Sequence, residues 1–298
     1  MADKTATLFT WQGHITEEMV DAYHRDGFLI LDEFATPDEC QAMMAQTRQL
    51  IDGFDEEAHR VIFSASGQSH AASDYFMKSA SNISFFLEAG AVDEEGRLTK
   101  PKSQAVNKIG HALHDLDPVF SDFSRQDKFA KLASAIGFQD PKLLQSMVIC
   151  KQPHIGGEVN SHQDSTFLYT EPESCVGFWL ALEDATLENG CMWAAPKGQN
   201  GPLRARFIRG DEGMEMKLIS QAEGAGGAEE AVCDVPLPAP AGTLILLHGR
   251  LPHLSPANHS AASRYAYALH VIDGSADYSA DNWLQRDETM PLQGFQTQ

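Results

Sequence analysis

From about residue 143 onward the chain repeats one pattern: a short apolar run, a cluster of Gly, Pro, Asn or Ser, then another apolar run. The runs are Leu144 to Lys151, Val176 to Leu182, Gly190 to Ala195, Ala231 to Val235, Thr243 to His248 and Arg264 to Ile272. Each has strand length, and no helix-long periodic segment lies between them. Successive strands without crossover helices must pack as a sandwich or a barrel. The earlier part reads differently, as helices with one strand. Thr16 caps a helix that Gly27 closes, Phe28 to Leu31 is a short strand, and Thr36-Pro37-Asp38-Glu39 opens a second helix with a capping box. Cys40, Met43, Met44, Thr47, Leu50 and Ile51 follow at helical spacing, and a third helix is expected from Gln126 to Ile136. No repeat and no Pro/Ser-rich linker divides the chain. The expectation is one domain over 1–298: N-terminal helices at about 15–140 packed on a β core at about 143–273, with a tail at 274–298. Residues 196–202 and 221–229 read as exposed loops.

Composition narrows the partners. The 298 residues carry 42 acids against 22 Lys and Arg, a formal charge of -20. That surface is unsuited to nucleic-acid phosphates or to an anionic membrane. No apolar run approaches the roughly 18 residues of a membrane span. The five cysteines form no CxxC pair, so free thiols in a reducing compartment are expected, together with a cytoplasmic location. A monomer is the simplest expectation. GxSxG, GxxxxGK[ST] and GxGxxG are all absent, which leaves no hydrolase elbow and no phosphate-cradling loop.

Twelve histidines and 42 acids should by chance place about two acids two residues after a histidine, and two such cases occur, both HxD. His24-Arg25-Asp26 ends a helix, where residues two apart diverge; it reads as a charge cluster. His162-Gln163-Asp164 follows a Gly-Gly loop. On extended backbone its imidazole and carboxylate share a face, two-thirds of the 2-His-1-carboxylate triad that holds non-haem Fe(II) with open positions. A structural His–Asp hydrogen bond fits the triplet equally well. The third ligand would come from His248, His253, His259 or His270, and local spacing does not choose among them. On the last run, Arg264, Ala266 and Ala268 occupy one face and bulky residues the other. An inward guanidinium beside small residues calls for a planar carboxylate; an arginine at the strand mouth paired with a nearby acid is the plain alternative. His111 and His114, next to Asp115 and Asp117, read as a surface turn. Arg204, Arg206 and Arg209 read as an exposed loop offsetting local acids.

Several longer stretches resemble the phytanoyl-CoA dioxygenase family, in particular its subgroup of phytanoyl-CoA dioxygenase domain-containing proteins. They are Lys151-Gln152-Pro153-His154-Ile155-Gly156-Gly157-Glu158, His162 through Pro172, Leu182 through Cys191, Asn107 through His114, and Asn282-Trp283-Leu284-Gln285. The resemblance covers nearly the whole chain. It implies a mainly β fold with flanking helices, the double-stranded β-helix or jelly roll. It also implies Fe(II)- and 2-oxoglutarate-dependent dioxygenase activity, with O2 and a small organic or acyl molecule as the other partners. Position by position, it puts the iron on His162, Asp164 and His253. His253 is preferred to His248 because the family's ligand histidine is followed by Ser two residues on, here Ser255, and by Arg eleven on, here Arg264. It assigns 2-oxoglutarate to Lys108, Met147, Trp179, Ser255 and Arg264. Because Asp164 is present, hydroxylation or desaturation is implied rather than halogenation. One departure is Gln199, where the family ends a Pro-Gly-Ser-His signature; the loop at about 197–230, and substrate preference with it, is expected to differ. A zinc hydrolase on a cupin-like fold and a non-catalytic binding protein are the competing readings.

Overall fold

The structure, a computed structural model, describes residues 6–59, 70–210, 213–219 and 232–295. Its strands in chain order are β1 (Leu8–Thr10), β2 (Phe28–Asp32), β3 (Ile83–Leu87), β4 (Val106–His111), β5 (Pro141–Lys151), β6 (Val159–His162), β7 (Thr170–Glu171), β8 (Val176–Ala181), β9 (Met192–Ala194), β10 (Ala205–Gly210), β11 (Gly213–Leu218), β12 (Val235–Leu237), β13 (Leu244–His248), β14 (His253–Ser255), β15 (Arg264–Asp273) and β16 (Asp277–Tyr278). Eight form one sheet in the order β1-β2-β13-β8-β15-β5-β4-β3, and four form a second in the order β12-β9-β14-β6. Short pairs β10-β11 and β7-β16 complete the set.

Alternation along the strands builds the layers. Leu29 and Leu31 of β2, Phe178 and Leu180 of β8, and Tyr265, Tyr267 and Leu269 of β15 turn to one side of the large sheet. There they meet Met43, Phe120, Phe129 and Leu132 from the helices Pro37–Gly53, Pro118–Ser124 and Asp127–Ala135. Tyr267 packs on Phe120 with ring centroids 5.0 Å apart, and its hydroxyl lies 2.7 Å from Ser124 Oγ. Each such buried side chain contributes about 1.5–3 kcal/mol relative to exposure. The opposite face carries Trp179, Ala181, Ile245, Ala266 and Ala268, which meet Met192, Ala194, Val235 and Leu237 of the small sheet. The two sheets therefore face each other as a β sandwich, and residues of both line the space that holds the site.

The helix starts follow their chemistry. Thr36 Oγ1 accepts from Glu39 N while Glu39 reaches back to Thr36 N, with Pro37 at the first turn. Such a cap contributes about 1 kcal/mol. Gly27 closes the helix Glu17–Asp26 with φ 82, a conformation that suits glycine. The third expected helix spans Asp127–Ala135, flanked by Gln126 and Ile136.

Four expectations need correction. First, the N-terminal part holds three strands beyond β2. Of these, β4 escapes periodicity because Asn107 and Lys108 face the cavity between the sheets rather than forming an apolar stripe. Second, the strand expected at Ala231 to Val235 begins at Val235, and residue 231 lies outside the described residues. Third, His111 and His114 are buried, not on a surface turn. Their Nδ1 atoms meet Ser79 Oγ at 2.8 Å and Ser146 Oγ at 2.8 Å, and His114 Nε2 lies 3.1 Å from Asp115 Oδ2. Fourth, Arg206 and Arg209 lie on strand β10, not on a loop. Arg206 pairs with Asp281 at 2.6 Å over the Tyr169 ring, and Arg209 donates to Trp283 O. The expected loop at 221–229 lies outside the described residues. Gln199, within 196–202, is buried and donates to His24 O at 3.1 Å, covering an open carbonyl at the end of the first helix. Among the described residues no helix is long and apolar enough to cross a membrane.

Candidate metal and oxoacid site

The small sheet brings the first two histidines together. Strands β6 and β14 pair antiparallel with His162 directly opposite His253, and the rings sit 4.3 Å apart. His162 Nδ1 lies 2.8 Å from Asn160 O, and His253 Nδ1 lies 3.0 Å from Leu251 O. Each Nδ1–H thus donates to the carbonyl two residues back, which leaves the Nε2 lone pair free, as a metal-binding imidazole requires. Both Nε2 atoms point to one oxygen: Asp164 Oδ1 is 3.6 Å from His162 Nε2 and 3.8 Å from His253 Nε2. Asp164 is held by a tight turn in which its carbonyl accepts from Phe167 N at 2.9 Å and Leu168 N at 3.1 Å. One potential ligand atom from each residue lies within 4.8 Å of the others. Two neutral imidazoles and one carboxylate with an open side are the donor set suited to non-haem Fe(II).

Electrostatics favour that arrangement at Asp164 and His253. Burial works against the Asp164 carboxylate, yet the surrounding histidines hold its pKa well below the usual range. Burial, reinforced by the charge of His162, pushes the His253 imidazole down to about 4, so it stays neutral at physiological pH. His162 is also penalised by burial, but its contact with Asp164 outweighs that and raises its pKa.

The other histidines separate cleanly. His248 packs against the Tyr23 ring on the helix side and lies outside the cavity, and His259 is exposed. His270 lines the cavity from β15, 3.4 Å from Asp164 Oδ2, outside the group of three.

A cavity of about 600 Å³ surrounds this group, and all eight residues singled out by the resemblance line it. Arg264 is 1% exposed, yet no carboxylate among the described residues pairs with it. Its Nη2 donates to Ser255 Oγ at 3.0 Å, and Ser255 Oγ donates to Gly190 O at 2.8 Å. Its Nε and Nη1 have no partner. Burial lowers this guanidinium to about 10. A buried arginine with two idle donors is costly unless an anion meets it, and a carboxylate matches the fork. Trp179 lies under it, 5.4 Å from ring centroid to guanidinium carbon. Met147 and Lys108 flank the same space; Gly110 sits opposite Met147 and Lys108 opposite Ile149. The Lys108 ammonium lies 4.9 Å over Phe86 and burial lowers it to about 8.

The wall also holds residues to which sequence reasoning assigned no site role, together with His270, one of its candidate third ligands. Phe76, Phe167, Phe207, Trp283, His111, Gln145 and His270 also line the cavity. The signal for His270 was present, since it continues the Arg264, Ala266, Ala268 alternation by one step. Trp283 lies in a motif noted for resemblance alone. Phe76 carried no local signal.

The comparisons with known proteins extend these observations. The phytanoyl-CoA dioxygenase family profile matches residues 23–266. The chain is 44% identical over 275 residues to a phytanoyl-CoA dioxygenase of Arabidopsis thaliana, covering 92% of this chain and 95% of that protein. It is 41% identical over 287 residues to phytanoyl-CoA dioxygenase domain-containing protein 1 of Mus musculus, covering 93% and 97%. Among solved structures it resembles the epimerase SnoN in complex with Fe3+, alpha ketoglutarate and nogalamycin RO, with TM-score 0.61, 16% identity and coverage of 93% and 97%. It also resembles EctD from S. alaskensis with 2-oxoglutarate and 5-hydroxyectoine, with TM-score 0.57, 16% identity and coverage of 93% and 83%. These two likenesses bear on the fold, and they agree with the expected double-stranded β-helix. With the profile over most of its length and relatives above 40% identity along nearly all of it, the chain belongs to the phytanoyl-CoA dioxygenase family, and it is an iron- and 2-oxoglutarate-dependent dioxygenase.

Proposed function

We propose that His162, Asp164 and His253 hold the Fe(II) of this dioxygenase, and that Arg264 with Ser255 binds the far carboxylate of 2-oxoglutarate, flanked by Lys108, Met147 and Trp179. The bound metal, with O2, supplies the oxidising chemistry that couples decarboxylation of 2-oxoglutarate to succinate and CO2 with hydroxylation of a small organic or acyl substrate. The observation that carries this reading is the paired imidazoles: each Nδ1 is tied to a backbone carbonyl, and each Nε2 is turned to the same Asp164 oxygen.

The chain's own residues do the rest. Asp164 brings the single negative charge that two neutral imidazoles lack. Arg264, buried in the cavity wall, offers two donors and a positive charge. Trp179 and Met147 keep water from that ion pair, which strengthens it. Lys108 adds positive potential for a dianionic cosubstrate. The same proposal takes the whole chain as one oxygenase domain. A cytoplasmic location is supported by five cysteines that form no disulfide.

The test is conversion of 2-oxoglutarate to succinate by metal-free protein on addition of Fe(II), measured with oxygen uptake across a panel of acyl-CoAs, free acids and small metabolites. Equal turnover with Zn(II), or equal turnover by His162→Ala protein, would refute it.

A further inference from the structure

The Asp164 carboxylate has two oxygens in different surroundings. Oδ1 faces the two imidazoles. Oδ2 is sealed from solvent and accepts no well-formed hydrogen bond. The donor within reach among the described residues is His270 Nε2, at 3.4 Å, an ion-pair distance longer than a tight hydrogen bond. His270 is 7% exposed and sits on β15 directly opposite Gly177 of β8. A Cβ on Gly177 would lie 3.0 Å from Asp164 Oδ2 and 3.6 Å from His270 Nε2. The missing side chain of Gly177 therefore leaves the slot in which the carboxylate and the imidazole meet. His270 Nδ1 has no partner. The tautomer with its proton on Nε2 is then favoured, because it makes the contact and orphans an acceptor rather than a donor.

We infer that His270 is a positioning residue for Asp164: its Nε2–H holds Oδ2 in the slot over Gly177, so that Oδ1 alone is presented to the metal. A carboxylate can bind a metal through one oxygen or two. Anchoring Oδ2 keeps the set at three donor atoms and leaves the open side open. Partners that orient a ligand in this way typically change metal affinity by about 10- to 100-fold. The inference rests on the proposed metal role of Asp164.

The experiment is anaerobic calorimetric titration of the metal-free full chain with Mn(II), without cosubstrate, with thermal unfolding recorded beside it. His270→Leu is expected to weaken Mn(II) binding by about 10- to 100-fold. His270→Gln, which keeps an N–H donor at similar reach, is expected to recover most of that loss. Gly177→Ala is expected to weaken binding with His270 intact, and it carries the test if His270→Leu does not fold. Binding by His270→Leu equal to that of the unaltered chain would overturn the inference alone. So would equal weakness in the Leu and Gln variants, which would make the effect one of packing. No Mn(II) binding by the unaltered chain would overturn the metal site itself, and this inference with it.

Discussion

The two faces of the large sheet are made from the same strands and do opposite work. On β15 the outward residues Tyr265, Tyr267 and Leu269 are bulky and interlock with helices. The inward residues Arg264, Ala266, Ala268 and His270 are small or polar; Ala266 packs between the sheets, and the other three border the cavity. β5 repeats the division, with Val148 and Cys150 toward the helices and Gln145, Met147 and Ile149 toward the cavity. Period-two alternation here separates stability from chemistry: one face fills space, and the other leaves it empty and lines it with groups that are expensive to bury.

That contrast is open to disproof. The largest stability effect belongs to the outer face. Tyr267→Ala should cost about 3–5 kcal/mol, as large aromatic truncations do, while the KM for 2-oxoglutarate stays unchanged in the folded protein. Denaturant unfolding and steady-state kinetics check the two halves, and a large KM change would break the division. On the inner face the pattern should invert. Arg264→Leu should raise the KM for 2-oxoglutarate roughly 10- to 100-fold, the equivalent of losing a charged hydrogen-bonded contact of about 1.5–3 kcal/mol. Its unfolding midpoint should stay level or rise, because a buried guanidinium without an anion is destabilising. A fall of several degrees would mean that Arg264 is structural.

Lys108 sharpens the same point through pH. Burial lowers its ammonium to about 8, so the folded chain binds fewer protons than the unfolded chain between about 8 and the ordinary lysine value of about 10.4. This group therefore makes stability rise with pH across that window. Affinity for the dianion should move the other way, with kcat/KM for 2-oxoglutarate falling as pH passes about 8. Lys108→Arg, which keeps its charge, should flatten that fall. A pH-independent profile in the unaltered chain would remove Lys108 from the cosubstrate site. The smallest effect is expected at Gln199, outside the cavity. Gln199→Ala should cost about 1 kcal/mol for its hydrogen bond to the helix end and leave 2-oxoglutarate turnover intact.

The legibility of the sequence follows the same division. Outward faces and helix caps are local patterns, so β2, β8, β13, β15 and the Thr36 capping box could be read directly. The inward face is legible where alternation runs long, as in Arg264, Ala266, Ala268. It is hidden where functional residues break the apolar pattern, and β4, the strand that carries Lys108, was missed for that reason. His111 and His114 looked like surface residues because the hydroxyls of Ser79 and Ser146, which make their burial tolerable, lie about 32 residues away. The choice between His248 and His253 depends on register, and only the pairing of β6 with β14 sets His253 against His162. Local spacing could not supply that, and the family pattern did. The role of Gly177 was illegible altogether, since it consists of an absent side chain beside two residues from other elements.

The central claim is that His162, Asp164 and His253 form one metal centre. Anaerobic titration of metal-free protein with Fe(II), comparing the unaltered chain with Asp164→Ala, tests it most directly. One Fe(II) per chain is expected in the unaltered protein, with at least about 100-fold weaker binding and no succinate formation in the folded Asp164→Ala variant, because a carboxylate ligand has gone from a three-donor set. Fe(II) binding of equal strength and stoichiometry in both proteins would contradict the account.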